Sequence, residues 1–290
     1  IFAAETEKSV ALLDVLLHEY DVVVMNPPYG QALDWELIPN ADSANRNLYG
    51  AFLLRAKQLA PNGYTGALTD RTFLLLYSFE KLRTTLLENQ PIKVGIDLGW
   101  EVLDDANVAT VAAVYSPNVK TKDQPSIYIS CLDTDEKKER LKKGLSDLHE
   151  QKRNENTYVV DLSDFWVIPT HPFCYWVPDK IREAFKKLDK FEPRIGIARK
   201  GISPGDTPRF IRKHWEVSKE KREKGEWLPY ANGGSYSPYY RDNSSVILWE
   251  NNGEAIKELK PKSVIRSEKL YGKSGLTFAS RHQFLNVQFL

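Results

Sequence analysis

An apolar run that ends in two adjacent prolines is the feature of this sequence that most restricts its fold. Residues 20–25, YDVVVM, are rich in β-branched side chains and predict a buried strand. The next residues predict a rigid turn, because two prolines remove two backbone donors and fix two φ angles. This turn consists of Asn26, Pro27, Pro28 and Tyr29. Since it leaves carbonyl groups without strand partners beside an amide and an aromatic ring, we expect it to hold a flat, polar ligand.

Helical and strand-like segments alternate after this turn. Apolar spacing predicts helices over 47–59 and 78–90, and strands over 64–70, 92–100 and 107–116. Such alternation predicts an α/β fold with a mostly parallel sheet. Because the connection between the last two strands is short, we expect them to form an antiparallel pair at one edge of the sheet.

The composition of the sequence changes beyond residue 116. Residues 117–157 are rich in charge and predict a solvated helical linker or arm. Apolar and aromatic residues return over 158–192, and the spacing over 177–191 predicts an amphipathic helix. From Ile195 onward, glycines, aromatic residues and basic residues interleave. This last part predicts a mixed α+β region.

Charge is unevenly distributed, although the formal net charge is only +1. From Lys180 onward there are 23 Lys and Arg residues against 13 Asp and Glu residues. Such an excess suits contact with a polyanion, or it serves only to solvate a surface. Five basic residues lie around the stretch GISPGDTPRF, and phosphate contact is their functional interpretation: Arg199, Lys200, Arg209, Arg212 and Lys213.

Cysteine usage and hydropathy exclude several classes of protein. Cys131 and Cys174 lie far apart without a CxxC motif, which argues against a disulfide framework or a zinc site and favours a reducing cytoplasm. No apolar run approaches the roughly 18 residues of a membrane helix. We therefore expect no membrane contact and no metal. Because the sequence begins with Ile1 and its one methionine is Met25, we also expect it to be an internal piece of a longer protein.

The turn at residues 26–29 is suited to an exocyclic amine. Such an amine has two N–H donors, and the Asn26 side-chain oxygen and the Pro27 carbonyl offer two acceptors. Tyr29 can stack on the face of a base, an interaction worth about 1–3 kcal/mol. Accepting both protons polarises the nitrogen and raises its nucleophilicity. The turn therefore suits transfer of an electrophilic group to an amino nitrogen, without a covalent enzyme intermediate.

Asn-Pro-Pro-Tyr after an apolar strand resembles the catalytic motif of amino-methyltransferases that use S-adenosylmethionine, above all the adenine-N6 DNA methyltransferases. Three downstream segments resemble those that follow this motif in the gamma class: NLYGAFLLRA, LAPNGYTGALTDRTFL and FEKLRTTLLENQPIKVGIDLG. Later segments, among them RKGISPGDTPRFIRKHWEV, resemble the region after the catalytic domain in the large adenine methylases of phage-exclusion (BREX) systems and fused restriction-modification enzymes.

This resemblance implies a site-specific enzyme that methylates adenine N6 in double-stranded DNA, in restriction-modification or phage defence. The base would be flipped out of the duplex to reach the pocket. Other phage-defence or restriction subunits are further candidate partners. The resemblance also implies residue roles: Asn26, Pro27, Pro28 and Tyr29 in catalysis, Asn47, Tyr49 and Phe52 beside the cofactor, and Leu103 or Trp100 against the base.

The resemblance further implies a division into three parts. Residues 1–118 would be the C-terminal half of a Rossmann-like catalytic domain, 119–192 a helical linker region, and 193–290 the start of a target-recognition region. Family members hold most of S-adenosylmethionine with an acidic-x-Gly-x-Gly loop upstream of the motif. This sequence contains no Gly-x-Gly. We therefore expect that loop to lie before Ile1, and the chain alone to be inactive.

Two other interpretations stay open. The same motif serves methylation of a protein glutamine side chain or of guanine N2 in RNA, although the basic, aromatic second half favours DNA. The chain could also act as a non-catalytic DNA-binding module of a phage-defence protein. The intact motif at residues 26–29 argues against loss of the chemistry.

Overall fold

The computed structural model describes residues 10–11, 13–31, 36, 42–104, 107–117, 125–152, 154–231, 237, 242–278 and 287–289. The chain divides into two compact units, Ile1–Asp189 and Lys190–Leu290. The division lies close to the boundary expected at residue 193, whereas the boundary expected at residue 118 falls inside the first unit.

The first unit is built on a six-stranded sheet. Its strands are β1 (Val22–Met25), β2 (Tyr64–Asp70), β3 (Ile92–Gly99), β4 (Thr110–Tyr115), β5 (Pro125–Ser130) and β6 (Thr157–Asp161). They pair in the order β1-β2-β4-β3-β5-β6. Within the described residues β1 therefore has one neighbour, β2, and its apolar side chains are open: Val22 is 58% exposed and Val24 is 81% exposed.

The strand directions are mixed. β1 pairs in parallel with β2, and β3 in parallel with β5, while the other neighbouring pairs are antiparallel. β1, β2, β3 and β5 thus run in one direction, and their carboxyl ends lie along one edge of the sheet. The predicted α/β class is confirmed, but the prediction of a mostly parallel sheet is wrong, because β4 and β6 run against the others.

The antiparallel pairing of β3 with β4 is confirmed, but its position at a sheet edge is wrong. β4 lies between β2 and β3, and β5 pairs with the far side of β3. A short connection predicts that two consecutive strands are neighbours in the sheet. It does not predict which other strands pair with the outer sides of that pair.

The α-helices of this unit that follow β1 in the described residues are α1 (Leu48–Leu59), α2 (Glu80–Asn89), α3 (Lys137–His149) and α4 (Asp179–Lys187). Short 3₁₀ helices cover Arg71–Leu74, Tyr77–Phe79 and Leu162–Trp166. The periodicity of α1 and α2 places apolar side chains on the sheet, where Leu53, Leu82 and Leu86 are fully buried beside Phe73 and Val111. This core supports the carboxyl edge of the sheet.

Residues 119–192 are more than the helical linker that the sequence predicted. The expected charged helix is present as α3, but β5 and β6 flank it and join the same sheet. Tyr128 and Ile129 on β5 are fully buried. Both strands are short apolar runs between charged segments. The charge of the surrounding residues therefore hid their strand pattern in the sequence. This region is structurally part of the first unit.

The second unit combines small sheets with short helices. Its strands are β7 (Ile211–Lys213), β8 (Trp227–Pro229) and β9 (Ser245–Leu248), paired antiparallel in the order β7-β9-β8, and β10 (Leu276–Phe278) paired with β11 (Val287–Phe289). The helices are α5 (Thr207–Phe210), α6 (Lys219–Glu223) and α7 (Glu250–Lys257), with 3₁₀ turns at His214–Glu216 and Glu268–Leu270. Phe210, Ile247, Trp249 and Ile256 form its core. Across the residues described in both units, no helix is long and apolar enough to cross a membrane.

Candidate active site

Residues 26–30 form a turn at the carboxyl end of β1. Parallel pairing of β1 with β2 ends at Met25, opposite Ala67, and the two prolines that follow cannot donate to a strand ladder. Pro27 is buried, whereas Asn26 and Pro28 are exposed. Ligands of open α/β sheets bind outside the carboxyl ends of strands, so this turn has the position of a site.

Two acceptors in this turn make no hydrogen bond within the part of the chain that the structure describes. Neither the Asn26 side chain nor the Pro27 carbonyl is hydrogen-bonded to another described residue. An exposed amide oxygen next to an unpaired carbonyl is the acceptor pair that an exocyclic amine requires. The structure therefore leaves available the two groups on which the sequence prediction rests.

The turn is anchored to the start of α1. The carbonyl of Gly30 accepts a hydrogen bond from the backbone N–H of Leu48 at 2.9 Å, and Gly30 has a φ of 101°, which favours glycine. Asn47 is the N-cap of α1, since its Oδ1 accepts from the N–H of Tyr49 at 3.2 Å. The capping bond of α1 thereby fixes one end of the loop.

The three residues predicted to line the cofactor have different environments. Tyr49 is fully buried and stacks on Phe79 with ring centroids 5.8 Å apart; burial raises its pKa well above the usual range. The Tyr49 ring belongs to the core because it lies on the sheet-facing side of α1, and its contact with a cofactor stays a prediction. The Asn47 oxygen serves the cap. Phe52 is 44% exposed and stays open to a ligand.

Tyr29 is half-buried, and part of its ring packs against the core. Its ring centroid lies 6.4 Å from that of Tyr49, and its hydroxyl lies 3.5 Å from the Leu68 carbonyl. Burial, followed by the charge of Asp70, raises the pKa of Tyr29, so the hydroxyl stays protonated at neutral pH. The exposed part of the ring is the surface on which a base can stack.

Trp100 and Leu103 follow β3 at the same edge of the sheet. Trp100 is 58% exposed, and Leu103 is partly buried. β3 is three positions from β1 in the sheet, which at the usual strand spacing is roughly 14 Å. The fold places these two side chains along the edge from the turn and not directly beside it. Their contact with a base stays a prediction.

Sequence reasoning missed a buried polar network at this edge. Arg71 donates from Nε to Oδ1 and from Nη2 to Oδ2 of Asp97, both at 2.7 Å, and the Tyr175 hydroxyl donates to Oδ2 at 2.9 Å. Asp97 is fully buried. One signal was present in the sequence: an aspartate inside the apolar strand IKVGIDLG needs a partner, because an unpaired buried charge is costly.

Arg199 and Lys200 are exposed in the second unit, as expected of phosphate-binding residues. Arg199, however, already has a carboxylate partner: its Nη1 lies 2.5 Å from Oε1 of Glu192, and this pairing holds the pKa of Glu192 below its usual range. A phosphate at Arg199 would have to compete with Glu192.

The remaining basic residues lie on α5 and β7. The Arg209 guanidinium lies over the Phe210 ring at 4.8 Å, and Arg212 donates to backbone carbonyls, including that of Ile211 at 2.8 Å. Lys213 donates to the Ser244 hydroxyl at 2.9 Å. Successive side chains of a strand point to opposite faces, so Arg212 and Lys213 do not belong to one patch. Two of the five basic residues that are near one another in sequence thus lie on opposite faces of β7.

Comparison with known proteins finds a family that is similar to the first part of the chain. Residues 4–102 match the family of the Eco57I restriction-modification methylase. This range contains the turn, α1, β2, Arg71 and β3. The predicted resemblance to restriction-modification and adenine-specific methylases is confirmed for this segment.

Two curated relatives extend the similarity through the second unit. The chain is 28% identical over 95% of its length to "Adenine-specific methyltransferase BrxX" of Escherichia coli O9:H4 (strain HS), and 27% identical over 90% to "Adenine-specific methyltransferase PglX" of Lacticaseibacillus casei (strain Zhang). It spans 23% of the length of each. Among solved structures, a type I restriction-modification methyltransferase subunit from Streptococcus thermophilus aligns with 53% of this chain and 37% of its own, with a TM-score of 0.41 and 16% identity.

Proposed function

We propose that this chain carries the amine-binding part of an adenine-specific DNA methyltransferase of restriction-modification or phage defence. The observation that carries the proposal is the pair of free acceptors, Asn26 Oδ1 and the Pro27 carbonyl, directly after a parallel strand. The family match over residues 4–102 supports methylase chemistry, and the names of the relatives support adenine. The natural partner is double-stranded DNA, acted on in the cytoplasm with other restriction or phage-defence subunits.

The residues of the turn bind and polarise the amine. Asn26 Oδ1 and the Pro27 carbonyl each accept one N6–H bond, which pulls electron density onto the nitrogen and points its lone pair away from the turn. Tyr29 holds the flipped base by its face. Their contribution is positioning and polarisation, because no strong base is needed to attack a charged sulfonium methyl.

S-adenosylmethionine, when bound, supplies an electrophilic methyl group. The described residues fit the amine side of this reaction better than the cofactor side. Phe52 keeps an exposed ring, while Tyr49 is in the core and the Asn47 oxygen caps a helix. In our proposal Phe52 contacts the cofactor, and the remaining contacts come from other parts of the natural protein.

Phosphate contacts are proposed for the second unit. Lys200, Arg209, Arg212 and Lys213 would position the duplex, with a smaller share from Arg199 because Glu192 neutralises it. Such contacts orient the DNA without reading its sequence.

The test is Asn26→Ala in the full-length natural protein. Loss of one acceptor should lower the rate of methyl transfer by about 10²–10³-fold, the usual effect of removing one preorganised polar partner, with unchanged thermal unfolding. Initial rates on duplex DNA, with base-resolved sequencing of the product, measure this. Asn62→Ala, an exposed asparagine between α1 and β2, is the control and should leave the rate unchanged.

Three outcomes contradict the proposal. Modified cytosine, or full adenine methylation by the Asn26→Ala variant, would exclude adenine N6 chemistry at this turn. Methylated glutamine in a protein or methylated guanine in RNA, with unmodified DNA, would favour another amino-methyltransferase. Sequence-specific DNA binding by the full-length protein without methyl transfer would favour a non-catalytic module.

A further inference from the structure

Arg71 is held in one orientation by residues from three parts of the chain. The Asp97 carboxylate on β3 accepts hydrogen bonds from both Nε and Nη2 of Arg71. Tyr175 donates to the same carboxylate and comes from the region predicted as a linker. The backbone N–H of Arg71 donates to the Ala109 carbonyl at 2.9 Å. Ordering a free arginine side chain costs rotamer entropy. The folded protein already holds the side chain in one orientation, so the guanidinium is preorganised and a ligand would not have to order it.

The opposite edge of the guanidinium is not used within the described protein. Arginine has five N–H donors in one plane. Asp97 takes the Nε–Nη2 edge, and Nη1 makes no hydrogen bond to a described residue. The side chain keeps 20% of its surface exposed. A rigid donor edge therefore remains at the surface of an otherwise buried network.

This free edge lies along the site. Arg71 is the first residue after β2, the strand that pairs with β1. Since Met25 is opposite Ala67, Asn26 is level with about Leu68, and Arg71 lies three residues further on, roughly 10 Å along the strand direction. This is the position of the Arg71 backbone. Its side chain extends to Asp97 on β3, which is three positions from β1 in the sheet, so the free edge lies roughly 14 Å across the sheet from β1. The free edge therefore lies at the same edge of the sheet as the turn, where the strand that flanks a flipped nucleotide would pass.

We propose that Arg71 binds a phosphodiester of the target strand within about two nucleotides of the flipped adenosine, with Asp97 and Tyr175 as positioning residues. This inference rests on the function proposed above. Two donors on one planar edge match the two non-bridging oxygens of a phosphate. The adenine amine is a donor and the cofactor's sulfonium is a cation, so neither complements the free edge. The cofactor's carboxylate does, and the S-adenosylmethionine affinity of the variants distinguishes it from a phosphate. We favour the phosphate because every nucleotide of the target strand brings one past this edge of the sheet.

The experiment couples a protein change to a change in the DNA. Wild-type, Arg71→Lys and Tyr175→Phe forms of the full-length protein are titrated with duplexes that carry a fluorescent adenine analogue at the target position. A single neutral methylphosphonate replaces each phosphate within two nucleotides of it in turn. Binding and fluorescence report docking and flipping separately from methyl transfer. Arg140→Lys is the control, since Arg140 pairs with Asp133 at an exposed site of the same unit.

We expect one methylphosphonate position to weaken wild-type binding or flipping by about tenfold, the loss of one charge-assisted pair. Arg71→Lys should cause a similar loss with the normal duplex and little further loss with that modified duplex. Tyr175→Phe leaves the Arg71–Asp97 pair intact, so it should weaken binding or flipping of the normal duplex by a smaller factor. With the methylphosphonate at the sensitive position, Tyr175→Phe should cause no further loss. The Arg140→Lys control should lose nothing at any position.

Independent, additive losses at every phosphate would overturn the proposal, as would unchanged binding with a lower unfolding temperature, which would make the network structural only. A selective loss of S-adenosylmethionine affinity would also overturn it. If the Arg71→Lys variant does not fold, the Tyr175→Phe variant tests the proposal through the same dependence on the methylphosphonate position. Because binding and flipping are read without methyl transfer, failure of this proposal is distinguishable from failure of the methyltransferase assignment.

Discussion

The rings of Tyr128 and Tyr175 show that two similar buried tyrosines can contribute to stability in opposite ways. They are stacked with centroids 4.7 Å apart and an interplanar angle of 4°. The Tyr175 hydroxyl donates to Asp97, whereas the Tyr128 hydroxyl has no hydrogen-bond partner in the described part of the chain. Burial raises the pKa of both groups. A buried hydroxyl without a hydrogen-bond partner lowers the free energy of unfolding, whereas a hydroxyl that donates to a buried carboxylate raises it.

We expect Tyr128→Phe to leave the free energy of unfolding unchanged or to raise it by up to about 2 kcal/mol, because it removes an unpaired polar atom. Tyr175→Phe should lower it by about 1–3 kcal/mol, since Asp97 loses a donor. Chemical denaturation of the same protein measures both, and each variant is the control for the other because the ring stack is retained. Equal destabilisation by the two changes would mean that both hydroxyls are bonded.

At the scale of elements, one glycine fixes the register of the two strands that form the site. Gly63 precedes β2, and a Cβ atom at this position would overlap the backbone of Asp21, with the carbonyl carbon at 2.6 Å. The N–H of Tyr64 donates to the Asp21 carbonyl at 2.9 Å. The close approach lets β2 begin level with β1. Any displacement here moves the Asn26 turn relative to α1.

Gly63→Ala should therefore destabilise the first unit by about 2 kcal/mol or more, because backbone must move to admit the methyl group. Gly66→Ala on β2 is the matched control: its Cβ would meet Val24 Cγ2 at 3.8 Å, an ordinary contact, and the cost should stay within about 1 kcal/mol. Thermal unfolding of the two variants gives the comparison. A Gly63→Ala variant as stable as the Gly66→Ala variant would show that the register is fixed elsewhere.

The elements also show why part of this molecule was predictable. The turn at Asn26 and the helices α1 and α2 depend on proline geometry and local periodicity, which a sequence displays directly. The insertion of β4 between β2 and β3 depends on pairing between distant strands, which periodicity does not encode. The Asp97 network joins residues 26 and 78 positions apart. Tyr49 was ambiguous because an aromatic residue on a helix suits a core and a ligand equally.

At the scale of the whole molecule, charge divides the chain more clearly than any motif. The basic excess from Lys180 onward, 23 against 13 residues, covers the whole of the second unit. The structure refines the expected contribution of individual residues. Arg199 is paired with Glu192, while Arg209 and Arg212 are exposed and have no carboxylate partner in the described residues. The basic excess of the second unit suits a polyanion, and under the proposed function the arginines without a carboxylate partner would set how many phosphates are neutralised.

Binding of the full-length protein to DNA should weaken linearly in a plot of log affinity against log salt, with a slope of about −0.9 per neutralised phosphate. Changing Arg209 and Arg212 together to Ala should make the slope shallower by up to about 2 units and leave sequence preference intact. Arg199→Ala should change the slope less. Arg140→Ala in the acidic first unit is the control. An unchanged slope in the double variant would assign the two arginines to surface solvation.

The exposed valines of β1 have a practical consequence for anyone who handles this chain in isolation. An edge strand with free backbone groups and apolar side chains is a template on which another copy can add a strand, and such edges promote aggregation. Val24, at 81% exposure, lies next to the turn that carries Asn26. Self-association would therefore cover the Asn26 turn first, and an aggregated preparation would lack the function proposed above for a reason unrelated to its chemistry. A lysine in place of Val24 would discourage such pairing, since charge on an edge strand opposes the addition of a second copy.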